Sequence, residues 1–556
     1  MDLRNVLMGL AGNAELSSET IAEFYEHRNE VIPSVQSNIE PEYIGELDVL
    51  NFPRTETMVG RLLAIPIKEG YVIEWYPNHY AFVREIIADF PVVGFNIKEL
   101  YKRVRPVVQL LQPSFDALLA LYLLDVTAKH SVSYLAKNYL HIDVDLPDSP
   151  TTIEEGIQVA HIIAQSQPVL LQHLEELNLL SLYNDIELPL SFVLAEMEYQ
   201  GIRIDLAHLA EVGEDLHHWM KGLEEPIFKL AGEQFNINSP LQLAKILYGK
   251  LGYPKGKRTK SGYSTEKSHL ILLEKGDRPI INMIRQWRSF SKLASGYTDA
   301  LPKKAKSGII YCHFNQAIAE TGRLSSSNPN LQNQPKKGEL GPRMRASYIS
   351  KYKDWLILTA DYSQIELRVL AHYSNDATML KCFQEGEDLH TVTAMKVFGC
   401  EKEDITSDQR RLAKIVNFSI PYGTTAFGLA GQIDREVDFA EELRSGYLER
   451  FPKVQQYMVD KAVEARECGY ATTLLGRRRP ITGLDSMDAG RRGGAERQAI
   501  NHPIQGTAAD IMKLALINIK RELAIYNNFW HEQWVSELSV ANLLLQVHDE
   551  AVLEVH

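Results

Sequence analysis

The sequence predicts a multidomain protein of mixed α/β and α+β class, and three observations predict it. The chain has 556 residues, more than one ordinary unit of about 150 residues holds. Its first part, up to about residue 185, mixes strand-like and helix-like patterns, whereas residues 206 to about 300 are mainly helical. The rest returns to short apolar strand runs that give way to helical spacing at acidic residues.

Each part has its own signal. RLLAIPIKEGYVIEWYP reads as two short strands around Glu69 and Gly70, which makes the first part an α/β unit. From about 153 to 200 the apolar residues recur at helical spacing with a natural break near Pro189, so this stretch predicts a helical connector. The segment GYPKGKRTKSGYSTEKS interrupts the next helical region, and its Gly, Ser and Lys content predicts an exposed loop.

Composition narrows the function classes. Hydrophobic residues make up 45% and charged residues 24%, an ordinary globular balance. No apolar stretch is long enough to cross a bilayer and the start lacks a signal-peptide pattern, so no membrane partner and a cytoplasmic location are expected. Cys312, Cys382, Cys400 and Cys468 are scattered without zinc or redox spacing. A net charge of −13 argues against coating nucleic acid by bulk charge. Local basic tracks remain: Lys255, Lys257, Arg258, Lys260 and Lys267; Lys303, Lys304 and Lys306; Arg477, Arg478 and Arg479. Each alone is also compatible with a solvated face.

The chemistry-bearing segments lie in the last 240 or so residues. LILTADYSQIELRVLAHYS starts as a strand and turns helical after Asp361, while LLLQVHDEAVLEVH reads as strand, tight turn, strand with His548, Asp549 and Glu550 at the turn. Phosphoryl transfer from a nucleoside triphosphate is served by two metals about 3.5–4 Å apart, and magnesium favours carboxylate oxygens. Asp361 and Asp549 fit that need, although either alone is also an ordinary turn or capping acid. RRLAKIVNFSIPYG places Arg410, Lys414, Phe418 and Tyr422 at four-residue steps, one stripe of a helix. Two cations followed by two aromatics suit a triphosphate and then a sugar or base. An amphipathic helix with a basic rim has the same spacing.

Taken together, these segments resemble the family A DNA polymerases. DYSQIELR is similar to the family's first palm motif, RRLAKIVNFSIPYG to its fingers helix and QVHDE to its second palm motif; TGRLSSSNPNLQN and ERQAINHPIQGTAADI match two more, in family order across residues 186–556. The resemblance implies a right-hand polymerase with thumb at about 206–300, palm at about 301–370 and 495–556, and fingers at about 371–494. It implies a catalytic set of Asp361, Asp549, Glu550 and Lys414, with Asp361, Asp549 and the Tyr362 carbonyl as ligands of two Mg2+ ions, for which Mn2+ can substitute. Arg410, Lys414, His390, Gln364, Phe418 and Tyr422 become nucleotide-binding residues, and Glu366 the steric gate against a ribose 2′-hydroxyl. Arg323, Arg497, Asn501, Gln505, His548 and the loop around Lys260 are expected on primer–template DNA. The implied enzyme is a monomer, associated with a bacterial nucleoid, that adds dNTPs to a primer in replication and repair. Glu366 argues against a ribonucleotide-polymerising relative; a catalytically silent DNA-binding protein is the other class considered.

Three departures carry expectations of their own. Pro421 replaces an aliphatic residue and should kink the helix before Tyr422. Gln334 replaces another. The family continues past the position of His556 with a palm helix and terminal segment, so the hairpin bearing Asp549 is expected to be weakly supported. Residues 1–185 resemble the family's 3′–5′ exonuclease domain through VVGFNIKELY, FDALLALYLLD and SYLAKNYL. Its metal-binding acids are not found: no Asp-x-Glu precedes VGRLLAI at a strand end, Leu100 stands where an aspartate is expected, and GIQVAHIIAQS carries no acid. A vestigial ribonuclease H-like domain without proofreading is therefore expected.

Overall fold

The computed structural model describes residues 47–49, 61–67, 70–76, 92–104, 113–148, 153–256, 258–259, 262–274, 276, 278–334, 340–534 and 540–556. Its first unit is a five-stranded mixed sheet. Arg61–Ile67 and Gly70–Tyr76 form the antiparallel hairpin that their alternation predicts. Leu47–Val49 pairs antiparallel with Arg61–Ile67 and parallel with Val92–Gly94, and Pro113–Asp116 adds a further parallel strand. A parallel pair needs a crossover, and the helix Ile97–Val104 lies in it. Leu100 is buried on that helix. Apart from Leu47–Val49, the segment where an Asp-x-Glu pair would precede VGRLLAI lies outside the described residues.

The connector is helical apart from a turn at residues 177–179: Ile153–Glu176 precedes that turn, and Leu180–Leu182, a π-helical turn at Tyr183–Glu187 and Leu188–Gln200 follow it without interruption. The break expected at Pro189 is the π-helical turn rather than a gap. Proline near a helix start has no N–H to lose from the ladder, and the bulge aims Glu187 inward.

Around Glu187 the structure builds a fully buried charge network. Arg477 donates to Glu187 and, through Nε at 2.8 Å, to Asp510; Lys513 donates to Glu187 at 2.6 Å. Gln316 and Thr473 complete the bonds to Glu187 and Asp510. The Tyr122 ring lies 5.9 Å from the Arg477 guanidinium. Burial opposes ionisation of Glu187, but the charges of Arg477 and Lys513 outweigh it and bring the carboxyl down to about 2. Four stretches of chain meet here: the connector, the segment after His313–Asn315, the hairpin Tyr470–Thr472/Arg478–Pro480, and the long helix Ala489–Trp534.

A three-stranded antiparallel sheet holds Leu356–Asp361, Glu550–Val555 and Ala541–Val547, with Glu550–Val555 in the middle. Leu543, Leu544, Leu545, Ala551, Val552 and Leu553 join one core with Leu190, Val212 and Met512. The hairpin expected to be weakly supported is thus the buried part of the sheet, because helices pack on it. The exposed strand is Leu356–Asp361, where Leu356 is 71% and Leu358 49% exposed.

Helix Leu206–Ala231 starts at Asp205, whose carboxylate accepts the N–H groups of Ala207 and His208 at 3.0 Å each. Its first half buries Leu209, Val212 and Leu216 in the sheet's core, and its end buries Ile227 and Ala231 with Ile281, Ile284 and Trp287 in another. The predicted exposed loop after it contains a small hairpin, Arg258–Thr259 with Gly262–Tyr263; Lys257 and Lys260 lie outside the described residues. Helices from Ile365–Ser374 to Pro452–Cys468 share a further core around Leu412, Val416, Leu429 and Tyr447. The four cysteines are free thiols, and among the described residues no helix is long and apolar enough to cross a membrane.

The buried network should be the most sensitive point of the fold. Glu187→Ala leaves Arg477 and Lys513 without their shared anion, a class of change that costs about 3–5 kcal/mol. Because the folded-state pKa of Glu187 is depressed, its contribution is present above the ordinary carboxylate pKa and is lost as pH falls from about 4.5 towards about 2. Urea titrations at neutral pH check this; an unchanged midpoint in Glu187→Ala would contradict it.

Candidate active site

Strand register brings the two aspartates together. Asp361 ends its strand opposite Glu550, and the N–H of the next residue, Tyr362, donates to the Asp549 carbonyl at 3.0 Å. Asp361 and Tyr362 are exposed and Asp549 half-buried. The turn at His548 and Asp549 is tight: His548 sits at φ 61°, a left-handed conformation that costs energy outside glycine. Gln546 offsets that cost by donating to the His548 carbonyl, and Gln332 donates to the Gln546 side chain at 2.7 Å. The LQN segment thereby steadies the turn, a role its residue types did not reveal.

One cavity is lined by Arg323, Ile365, Glu366, Lys513, Gln546, His548 and Asp549. Glu366, in the first turn of helix Ile365–Ser374, accepts from Arg323 with one carboxylate oxygen and from the Tyr422 hydroxyl with the other. Burial and then the Glu366 charge keep the Tyr422 phenol far above its ordinary pKa, so it remains a donor. Gln364, at φ 54° before that helix, has a buried Oε1 without a hydrogen-bond partner, and Asn501 Oδ1 is in the same condition. Buried acceptors of this kind call for an explanation, and both belong to residues expected to meet a ligand.

Helix Ser407–Ser419 opens with a reciprocal capping box between Thr406 and Gln409. It presents Arg410, Lys414 and Phe418 as an exposed stripe. Tyr422 does not continue it. The expected kink is a termination: the helix stops at Ser419, and residues 420–423 form a turn, since Pro421 has no N–H for another helical bond. Arg410 is held by Asp388, Nε to Oδ2 at 2.9 Å, and Asp388 also caps helix Leu389–Phe398. His390 is buried with its ring 5.6 Å from that of Phe418. Asn417 accepts from Thr393 at 3.1 Å and places its amide 3.0 Å from His390 Nδ1, so Nδ1 is the acceptor and Nε2 carries the proton. Burial, reinforced by the Lys414 and Arg410 charges and opposed by Asp388, lowers the His390 pKa.

Arg497, Asn501 and Gln505 fall at four-residue steps on the helix Ala489–Trp534. Gly423, at φ +75°, sits where an added Cβ would lie 2.8 Å from Arg497 Cγ, so this helix seats the turn after Tyr422. Glu550 is the direct cross-strand partner of Asp361. It is buried, accepts from Arg345 at 2.7 Å and lines a different crevice with Gln334 and Tyr348. Its carboxylate is thus tied to Arg345 while its backbone stands directly opposite Asp361. Asp388, Asn417, Gln332 and Arg345 are the residues the sequence reading missed. The Asp388 cap before LHTVTA was a legible signal; the others were not.

The family model "DNA polymerase family A" matches residues 206–556. DNA polymerase I of Bacillus subtilis (strain 168) is 41% identical over 464 residues, 80% of this chain and 51% of that protein. The thermostable DNA polymerase I of Thermus filiformis is 39% identical over 507 residues, 90% of this chain and 57% of that protein. The chain thus spans about half the length of the curated relatives it matches. Among solved structures, the POL domain of Pol1 from M. smegmatis, in complex with DNA primer-template and dNTP, superposes with a TM-score of 0.82 at 31% identity, covering 98% of this chain and 92% of that one.

Asn417→Ala removes the partner of both His390 Nδ1 and Thr393 inside the protein, and unmet buried groups cost about 1–3 kcal/mol. The variant should melt at lower temperature, and the His390 ring, followed by NMR with labelled histidine, should lose its single tautomer. In the parent the ring should stay neutral until the pH falls below the ordinary histidine range. A charged ring at neutral pH would refute the assignment.

Proposed function

Since the chain belongs to DNA polymerase family A, we propose that it is a DNA-directed DNA polymerase that extends a primer 3′-hydroxyl with dNTPs in replication and repair. The observation that carries this reading is the register that sets Asp361 beside the Asp549 turn, locked by the Tyr362 N–H on the Asp549 carbonyl. Family A DNA polymerases use divalent metal ions. The residues here fit such ions: two carboxylates and a backbone carbonyl are hard oxygen donors, and they sit at the rigid ends of paired strands. Asp361, Asp549 and the Tyr362 carbonyl would hold two Mg2+, or Mn2+ in their place. When bound, the ions lower the pKa of the primer hydroxyl and stabilise the charge that develops on the leaving pyrophosphate.

The chain's own groups do the rest in this reading. Arg410 and Lys414 take the triphosphate, with the His390 Nε2–H as a neutral donor beside them. Phe418 and Tyr422 lie against the sugar and base, and Glu366 excludes a ribose 2′-hydroxyl. Arg323, Arg497, Asn501, Gln505 and His548 hold primer–template through the minor groove, whose acceptors are alike in every base pair. Residues 206–300 would be the thumb, 301–370 and 495–556 the palm, and 371–494 the fingers. The first unit serves as an exonuclease-like scaffold without proofreading, and the enzyme acts as a cytoplasmic monomer. Its buried Leu100 supports that scaffold role.

A primer-extension assay with and without magnesium tests the reading. Asp361→Ala and Asp549→Ala should each cut extension more than about a hundredfold, given the several kcal/mol a metal contributes, while primer–template binding stays largely intact. Retained activity in both would defeat the metal assignment. Phe418 is 38% exposed at the end of the stripe and cannot hydrogen-bond a sugar. A dideoxynucleotide leaves a polar gap there worth about 1–3 kcal/mol, so discrimination of roughly tenfold to a hundredfold is expected. Phe418→Tyr should accept dideoxynucleotides far more readily at little cost to normal extension. Equal chain termination by parent and variant would show that Phe418 does not meet the sugar.

A further inference from the structure

The Glu366 carboxylate is gripped from two sides by different parts of the chain. Arg323 comes from the loop between His313–Asn315 and Ser325–Ser327, and Tyr422 from the turn that follows helix Ser407–Ser419. A steric gate excludes one extra hydroxyl only if its side chain stands in one place. A glutamate held through a single oxygen can still pivot about that bond, and rotamer freedom is what long side chains retain unless it is removed. A second anchor on the other oxygen fixes the plane of the carboxylate. We infer that Arg323 is a sugar-specificity residue: it positions the Glu366 gate through its guanidinium, in addition to any contact it makes with the primer end. This rests on the polymerase reading above and deepens it.

Three features support the assignment. The pair uses only Arg323 Nη2, so Nε and Nη1 remain for the groove contact, and one guanidinium can serve both. Its exposure is intermediate, with the Arg323 side chain 42% and the Glu366 side chain 16% exposed, so the carboxylate is the more sheltered partner and depends on the bond more. Finally, Arg323 is placed by a rigid base. Gly322 precedes it at φ +86°, where a Cβ would come within 2.6 Å of Arg477 Nε. Only glycine fits there, and Arg477 belongs to the fully buried, ion-paired network.

The test is the ratio of kcat/KM for a dNTP to that for the matching rNTP, in primer extension with magnesium. Arg323→Leu should lower dNTP use, as loss of a primer contact would, and should also lower the ratio by roughly tenfold or more, the effect of losing one strong positioning bond. Arg323→Lys keeps the charge without the planar fork and should fall between. In a Glu366→Ala background, Arg323→Leu should leave the ratio unchanged within about twofold. An unchanged ratio in Arg323→Leu alone would overturn the inference, because then Arg323 serves the primer only. So would an equal fall in both backgrounds, which would put Arg323 directly on the sugar. If Glu366→Ala itself does not change the ratio, the gate reading fails and this inference with it. If the parent does not extend a primer at all, the polymerase reading is what has failed.

Discussion

The rest of the structure depends on the Arg477 network. Two cations and two anions, all buried, have been taken out of water at a cost that only close pairing recovers. Such a cluster contributes little net stability over well-packed apolar residues. What it does contribute is register, because its members arrive from distant stretches of chain and only one mutual arrangement leaves no charge unpaired. Lys513 shows the balance: burial and the neighbouring Arg477 charge bring its pKa down to about 8, with Glu187 and Asp510 pulling the other way.

From that anchor the site is reached in short rigid steps. Asp510 and Lys513 fix the helix that carries Arg497, Asn501 and Gln505, while the face of Arg477 supports Gly322 and therefore Arg323. Gly506 lies on the same helix, where an added Cβ would come within 2.5 Å of the Thr473 Cγ2 methyl and 3.1 Å of the Thr321 carbonyl oxygen, so the helix packs tightly on both segments. The sheet bearing Asp361 and Asp549 shares its core with Met512 and Leu516 of that helix. Cavity, helix and aspartates are thus referred to a single point, which suits chemistry that tolerates little displacement.

Much of this was legible in the sequence because local patterns agreed with the fold. LILTA and LLLQV are strands with an acid just beyond them, and the four-residue spacings of Arg410, Lys414 and Phe418, and of Arg497, Asn501 and Gln505, are helical stripes. What stayed hidden were pairings between distant residues. Glu187 reads as one more acid in LYNDIELPL, and Arg477 as one of a basic run suited to a solvated face. Both are fully buried, and no local pattern marks a charge whose partner lies hundreds of residues away. Glu550 is a related case: its place beside Asp549 and opposite Asp361 gives no hint of Arg345, 205 residues away in the chain, which takes its carboxylate.

Pro421 shows how a local rule acts on the site at a distance. A residue able to donate its N–H could extend the helix to the position of Tyr422, adding that ring to the stripe of Arg410, Lys414 and Phe418. Instead the chain turns, closed by bonds from Gly423 N–H to the Ile420 carbonyl and from Thr424 N–H to Ser419. Tyr422 leaves the exposed stripe, becomes half-buried and meets Glu366. The turn can lie this close to the long helix only because Gly423 adopts a left-handed φ against the Arg497 stem. Proline and glycine on either side of Tyr422 therefore act as one device. The first ends the helix, the second lets the turn seat, and together they direct a phenol across to the carboxylate that Arg323 holds from the other side.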